Sequence, residues 1–157
     1  MRSPLVVLAL IVIAWAQAGP ALAQSALSNC KYYTKTQQDF QAGLQYCEQC
    51  IKDEPENPEA RYYGAWCLAE VGRYSDAWPS FAWLIERIND KDKTVQKHAK
   101  WASERVQLYF AKHFNEGVKQ LQANNLAAAR DEFEKATQIG PNKADAFLNL
   151  GYVPSGR

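Results

Sequence analysis

Three stretches of the chain repeat one pattern, in which small or apolar residues stand at positions i, i+4 and i+7. The three stripes are Gly43, Cys47 and Cys50; Ala77, Phe81 and Leu84; and Ala129, Phe133 and Ala136. This spacing places the residues of one stripe on one face of an α-helix. Each stripe therefore predicts a helix that buries one face.

Another helix precedes each of these helices. The patterns of residues 58–71 and 112–123 predict two such preceding helices, and residues 143–151 predict a last one. Pro55 and Pro141 stand just after two of the stripe-bearing helices, where a proline ends a helix. The chain is therefore predicted to be all-α and built of helix pairs.

The first and second stripes lie 34 residues apart. Helix pairs at this period, with an Ala…Phe…Ala stripe and a closing proline, resemble the tetratricopeptide repeat (TPR) family. The Asn149-Leu150-Gly151 stretch also matches the Leu-Gly of that pattern. The resemblance implies an α-solenoid of antiparallel helix pairs over residues 24–157. Its repeats would span about 24–57, 58–91 and 110–143, and a partial repeat would span 144–157.

The second and third repeats are separated by an insert, predicted at residues 92–109. Ala129 follows Ala77 by 52 residues, which is 18 more than one period. Eighteen residues make five helical turns, so a helical insert keeps its faces in phase. Residues 93–122 contain no proline and one glycine, which predicts one long helix or two nearly collinear helices. The glycine, Gly117, lies where the resemblance implies close packing of two helices.

Pro79 falls near the beginning of the helix that carries the second stripe. With Asp76 as the N-cap, Pro79 would lie in the first turn. The N–H groups of a first turn make no hydrogen bond within the helix, so a proline there would cost none. Tyr74 and Ser75 would then form the preceding turn.

The N-terminal residues have the pattern of a secretory signal peptide. Arg2 precedes an apolar run at residues 5–16, and the small residues Ala21 and Ala23 form an A-x-A-like cleavage site. The run is shorter than the roughly 20 residues of a membrane span. We therefore expect cleavage after residue 23 and export, to the periplasm if the source is bacterial, with no membrane span in the mature chain.

The four cysteines, Cys30, Cys47, Cys50 and Cys67, all lie in the part predicted to be exported. An even number of cysteines in an oxidising compartment favours disulfides, so two bridges are expected. A Cys47–Cys50 bond is disfavoured, because two residues three apart inside one helix strain it. The two other pairings remain open, and each bridge would contribute about 2–4 kcal/mol.

The Cys47–Cys50 spacing also permits two chemical alternatives, a thiol redox pair and a four-cysteine zinc site. A redox pair is expected at the beginning of a helix beside a βαβ unit, and no strand is predicted here. The cysteine separations of 17, 3 and 17 residues differ from those of zinc fingers and ribbons. Disulfides that hold the first repeat together are the preferred interpretation.

The sequence indicates a protein without an enzymatic activity or a cofactor. It contains no nucleophile elbow, P-loop or dinucleotide fingerprint. Its two histidines, His98 and His113, are 15 residues apart with no evident partners, which favours surface or core positions. Removal of Arg2 with the leader leaves equal numbers of basic and acidic residues, so net charge does not indicate a nucleic-acid partner.

The TPR resemblance implies a protein or peptide partner, bound on the face formed by the first helix of each pair. The implied peptide-binding positions are Asn29, Tyr32, Tyr62, Tyr63, Trp66, Asn115 and Asn149. An asparagine amide can both donate to and accept from a peptide backbone. Tyr62, Tyr63 and Trp66 would provide apolar anchors, or alternatively pack against the neighbouring helix.

The C-terminal residues begin a fourth repeat that has no second helix in this sequence. Leu148, Tyr152 and Val153 would then be uncovered. Because helical arrays usually end in a polar cap, this segment, residues 143–157, is a candidate surface for homo-oligomer formation.

Overall fold

The computed structural model describes residues 25–141 and 143–153, and the regular elements of this part are all helical. The helices are α1 (Ala26–Lys31), α2 (Phe40–Asp53), α3 (Pro58–Glu70), α4 (Tyr74–Ile85), α5 (Lys93–Gln122), α6 (Leu126–Ile139) and α7 (Ala144–Tyr152), and a π-helical turn (Tyr32–Gln37) continues α1. The predicted all-α, TPR-like fold of packed helix pairs is confirmed. The predicted signal peptide, residues 1–23, lies outside the described residues.

Short polar side chains cap the N-termini of several helices. Asp39 accepts a hydrogen bond from the Ala42 backbone N–H at 3.0 Å, at the beginning of α2. Asn57 accepts one from Glu59 at 2.9 Å, at the beginning of α3. Each cap satisfies a backbone donor that has no partner inside the helix. Local sequence therefore determines where these helices begin.

The helices form two layers. Consecutive helices pack on each other from α1 to α7. In addition, α3 packs against both α1 and α5, while α4 packs against α6. The first helices α1, α3 and α5 thus lie side by side in one layer, and the second helices α4 and α6 lie side by side in the other. None of the helices in the described residues is long and apolar enough to cross a bilayer.

The three predicted stripes form the buried faces of α2, α4 and α6. Their nine residues are all buried, as the i, i+4, i+7 pattern predicts. Phe81 and Phe133 are fully buried and are the largest of them. Burial of a large apolar side chain contributes about 1.5–3 kcal/mol relative to exposure. These stripes therefore provide much of the driving force that joins the two layers.

The predicted long helix is present as one uninterrupted helix, α5, of 30 residues. Asp92 caps it by accepting a hydrogen bond from the Thr94 backbone N–H at 2.7 Å. The predicted close approach at Gly117 is also confirmed. A Cβ atom at this position would lie 2.7 Å from two ring carbons of Phe133 in α6.

The prediction for the beginning of α4 was wrong. The helix begins at Tyr74 with Arg73 as its N-cap, so Pro79 lies inside it and not in its first turn. Tyr74 is buried, and its hydroxyl lies 2.6 Å from Nε2 of His113, which holds the first turn against α5. Pro79 has no N–H for the carbonyl of Ser75, four residues earlier. Because Ser75 is exposed, water can donate a hydrogen bond to that carbonyl.

One of the two predicted disulfides is present. Cys30 and Cys47 are bonded, with their Cα atoms 4.7 Å apart, and this bridge joins α1 to α2. Cys50 and Cys67 are free and buried, so the prediction of a second bridge was wrong. Their thiols donate to different backbone carbonyls, Cys50 to Cys47 at 3.2 Å and Cys67 to Phe40 at 3.3 Å. Both thiols therefore have hydrogen-bond acceptors on the backbone in place of the expected covalent bond.

The C-terminal prediction was correct for Leu148 and wrong for Val153. Leu148 is 62% exposed, whereas Val153 is 2% exposed. Val153 packs with Ala129 and Phe133, and its carbonyl accepts a hydrogen bond from Arg130 at 2.8 Å. The chain after α7 thus turns back onto α6. The side chain of Tyr152 lies outside the described part of the structure.

We expect Gly117→Ala to destabilise the protein. The buried Phe133 ring cannot move away from a new Cβ, and overpacking outweighs the gain in helix propensity, for a net loss of about 1–2 kcal/mol. Gly151→Ala is the matched control, because a Cβ there meets no atom within 4 Å. Urea unfolding of both variants measures the difference, and an unchanged stability of Gly117→Ala would contradict the close packing.

Candidate functional site

A pocket of about 420 Å³ opens between the π-helical turn, α3 and α5. The residues that line it are Lys35, Tyr62, Tyr63, Trp66, Trp101, Glu104, Arg105 and Leu108. Four of these eight are aromatic. The pocket therefore lies on the layer of first helices, and its walls come from three elements that are far apart in sequence.

Four aromatic rings form the floor of the pocket. The Tyr62 ring is central, with centroid distances of 5.1 Å to Tyr63, 6.0 Å to Trp66 and 5.5 Å to Trp101. Tyr62 and Tyr63 are almost fully buried, whereas Trp66 and Trp101 are half-buried. Rings at these distances stabilise one another beyond the effect of area burial. The floor is thus preformed, and the two indoles present the open aromatic surface.

Glu70 fixes one wall of the pocket. Its Oε1 accepts hydrogen bonds from Tyr109 at 2.7 Å, from the Trp66 indole at 3.0 Å and from Arg105 at 3.4 Å. The Arg105 guanidinium also stacks on the Trp66 ring, 3.6 Å from its centroid. Burial, with the hydrogen bond to Glu70, raises the pKa of Tyr109, so its hydroxyl keeps the proton that it donates. This network holds Trp66 in place.

The rim of the pocket carries two exposed charges and one exposed apolar side chain. Lys35 lies on the π-helical turn, and Glu104 lies on α5. Neither makes an ion pair or hydrogen bond within residues 25–141 and 143–153, and both are exposed. Leu108, one turn after Glu104, is 65% exposed. The rim therefore offers unpaired charge and apolar surface to a ligand.

His98 lies beneath the pocket and does not line it. It is 1% exposed, and its ring centroid is 5.7 Å from that of Tyr62. Its Nδ1 lies 2.7 Å from the Thr94 carbonyl, whereas Nε2 has no hydrogen-bond partner among the described residues and is 3.9 Å from Glu59. Burial lowers the pKa of His98, so the ring is neutral near pH 7. A hydrogen bond from Lys31 lowers the pKa of Glu59, which remains charged.

His113 belongs to a separate polar chain between α4, α5 and α6. Its Nδ1 lies 2.7 Å from the Glu132 carboxylate, and its Nε2 lies 2.6 Å from the Tyr74 hydroxyl. Because a carboxylate only accepts, Nδ1 carries a proton and donates it. Both histidines thus occupy buried positions, and His113 has polar partners that the sequence did not indicate.

The structure brings together three of the seven residues proposed to bind a peptide. Tyr62, Tyr63 and Trp66 all line the pocket, although the two tyrosines also pack deeply. The other four do not line it: Asn29, Tyr32, Asn115 and Asn149. Tyr32 is 47% exposed on the π-helical turn, and its hydroxyl accepts a hydrogen bond from Gln37. Asn115 is exposed on α5, whereas Asn29 and Asn149 are half-buried.

Sequence reasoning missed the contribution of α5 to this pocket. Trp101, Glu104 and Leu108 stand at i, i+3 and i+7, which is a helical stripe visible in the sequence. The stripe lies in the insert between the second and third repeats. The TPR resemblance assigns binding positions only within the repeats. It therefore did not indicate which face of the insert meets α3.

A metal centre is not evident in the described residues. No group of three or more His, Cys, Asp or Glu side chains in residues 25–141 and 143–153 is arranged to hold a metal ion. Cys30 and Cys47 are joined to each other. Burial raises the pKa of Cys50 to about 12 and that of Cys67 to about 11, so these thiols are protonated near neutral pH. The remaining sulfurs therefore have the properties of packing groups.

Residues 36–77 match the sequence model of the family described as Tetratricopeptide repeat. The matched stretch extends through α2 and α3 to the first residues of α4, and it contains the three aromatic residues that α3 places in the pocket. No curated protein and no solved structure matches the chain. The match supports the resemblance to TPR proteins and suggests a protein-interaction scaffold.

We expect Glu70→Ala to weaken the fold and the pocket wall. The change leaves the buried Tyr109 hydroxyl without its acceptor, which costs about 1–3 kcal/mol for a buried group, and it also removes the acceptor of the half-buried Trp66 indole. Glu86→Ala is the control, because its side chain is 75% exposed and a surface change stays within about 0.5 kcal/mol. Urea unfolding compares the two, and equal stabilities would show that the Glu70 network does not stabilise the fold.

Proposed function

We propose that this protein is an exported, non-enzymatic scaffold that binds a segment of a partner protein in the pocket between the π-helical turn, α3 and α5. The single observation that carries the proposal is the open, preformed aromatic floor of Tyr62, Tyr63, Trp66 and Trp101. Partly exposed tryptophans backed by buried rings are the type of residue that dominates binding energy at interfaces.

The rigidity of the pocket favours binding. Trp66 is held by Glu70 and by the Arg105 guanidinium, so little side-chain freedom is lost when a ligand contacts it. A large apolar side chain that becomes fully buried on these rings gains about 1.5–3 kcal/mol. Leu108 extends the apolar surface beyond the pocket. A single anchor residue with adjacent contacts is therefore the binding mode that the geometry supports best.

A scaffold accounts for the chemistry of the site better than an enzyme does. Repeats of the matched family typically serve as scaffolds. His98, the histidine nearest to the floor, is buried beneath it and does not line the open space. The exposed Glu104 has no neighbouring acid or base on the pocket lining that would form a proton-transfer pair with it. The proposal thus assigns binding roles to all lining residues.

Export is supported by two independent features. The N-terminal sequence has the pattern of a secretory leader, and the folded part contains the Cys30–Cys47 disulfide. Disulfides persist in oxidising compartments such as the periplasm and the extracellular space. The proposed mature protein therefore begins at Gln24 and folds after export.

Intact mass spectrometry of protein isolated from an exporting host tests this. We expect the mass of a chain that begins at Gln24. Alkylation of the unfolded, unreduced protein should modify the two free cysteines, and alkylation after reduction should modify all four. A Cys30→Ser variant, alkylated at three positions without reduction, is the control for the bridge. A full-length mass with four reactive thiols would contradict export.

Selection from a random peptide library tests binding. We expect peptides enriched on the mature protein to share a large apolar residue, and Trp101→Ala to weaken them about tenfold or more, measured by fluorescence anisotropy. Trp83→Ala is the matched control, because the Trp83 ring contacts the guanidinium groups of Arg61 and Arg87 and does not line the pocket. Circular dichroism shows whether both variants fold. Equal binding to both would refute the pocket as the binding site.

A further inference from the structure

The pocket lining carries two exposed charges of opposite sign, Lys35 on the π-helical turn and Glu104 on α5. We propose that the bound partner segment has a large apolar residue in the pocket, an acidic residue on the side of the π-helical turn and a basic residue on the side of α5. This inference rests on the proposed function and specifies the chemistry of the partner.

Lys35 is held at the rim by the packing of its neighbour. Thr34 is fully buried, and its hydroxyl lies 3.5 Å from the Cys47 sulfur and 3.8 Å from the Cys30 sulfur. This contact anchors the π-helical turn against the disulfide and leaves Lys35 on the exposed side. The ammonium group is therefore presented from a fixed backbone.

Glu104 is presented by a different element, α5. It stands one turn after Trp101 and one turn before Leu108, and both of these residues line the pocket. The next residue on the helix, Arg105, donates a hydrogen bond to Glu70 and stacks on the Trp66 ring. Because Arg105 is already paired, it does not neutralise the Glu104 carboxylate.

The other charges around the floor are already engaged. Lys31 pairs with Glu59 at 2.8 Å. The Lys97 ammonium lies 4.5 Å from the centroid of the Trp101 ring, so it is held by a cation–π contact. Lys35 and Glu104 are thus the lining charges left without a partner in the described residues. A uniformly acidic or uniformly basic segment would satisfy one of them and be repelled by the other.

Charge complementarity of this kind affects the choice of partner more than total affinity. An exposed ion pair changes affinity by about two- to fivefold. The aromatic floor supplies the anchor, and the two rim charges discriminate among segments that carry a suitable anchor. The proposal does not fix the chain direction of the bound segment. A segment with the order acid–apolar–base and one with the order base–apolar–acid can both match the two rim charges, because they would bind in opposite directions.

Charge reversal at each side of the rim tests the inference. The probes are capped, fluorescein-labelled peptides with a central phenylalanine, flanked by glutamates on both sides, by lysines on both sides, or by glutamates on one side and lysines on the other. A mixed-charge peptide with a central alanine controls for the anchor. Affinities are measured by fluorescence anisotropy at low ionic strength, where exposed charges are least screened.

We expect wild type to prefer the mixed peptide by about two- to fivefold over each uniformly charged one. Lys35→Glu makes both sides acidic and should shift the preference to the lysine-flanked peptide. Glu104→Lys makes both sides basic and should shift it to the glutamate-flanked peptide. Lys52→Glu, an exposed reversal on α2 away from the pocket lining, should leave the wild-type preference unchanged.

The outcomes separate this inference from the proposed function. If the phenylalanine peptides bind better than the alanine peptide and weaken on Trp101→Ala, but neither reversal moves the preference, the charge inference fails and the pocket function stands. If the phenylalanine and alanine peptides bind equally, the pocket function itself fails. Leu108→Ser, at an exposed position, is a second pocket variant for the case that Trp101→Ala does not fold.

Discussion

The continuity of α5 is the constraint on which the rest of the structure depends. A helix of 30 residues is about 45 Å long, and it passes through both halves of the molecule. Its first half brings Trp101 and Arg105 to the pocket, and its second half places Gly117 against Phe133. Because an α-helix is rigid over this distance, the position of the pocket wall is coupled to the packing of the third helix pair.

Polar networks determine how α5 is oriented on its neighbours. The Tyr74–His113–Glu132 chain joins α4, α5 and α6, and the Glu70 network joins the end of α3 to α5. Apolar packing alone tolerates small rotations of a helix, whereas a buried donor or acceptor loses its partner when the helix turns. These networks therefore specify one arrangement of the helix, and Glu70 is at once a structural residue and a support for Trp66.

The sulfur-containing core stabilises the first helix pair. The Cys30–Cys47 bridge and the Thr34 hydroxyl lie together between α1 and α2, where larger apolar residues fill the later pairs. Cys50 and Cys67 remain thiols whose pKa is raised by burial, so they are poor nucleophiles at neutral pH. The C-x-x-C of α2 is thus explained by packing. The same core holds the π-helical turn that presents Lys35.

Helix periodicity determined the fold from the sequence alone. The three stripes, the long uninterrupted helix and the close approach at Gly117 are all local patterns, because they depend on residues within one or two turns of each other. The pocket was only partly predictable: Tyr62, Tyr63 and Trp66 lie on one helix, but Trp101 and Glu104 reach them from an insert. The beginning of α4 and the burial of Val153 depend on contacts with α5 and α6, which no local pattern encodes. The tertiary structure decided which cysteines are bonded and which charges remain unpaired at the rim. Both features depend on distances between side chains that are far apart along the chain.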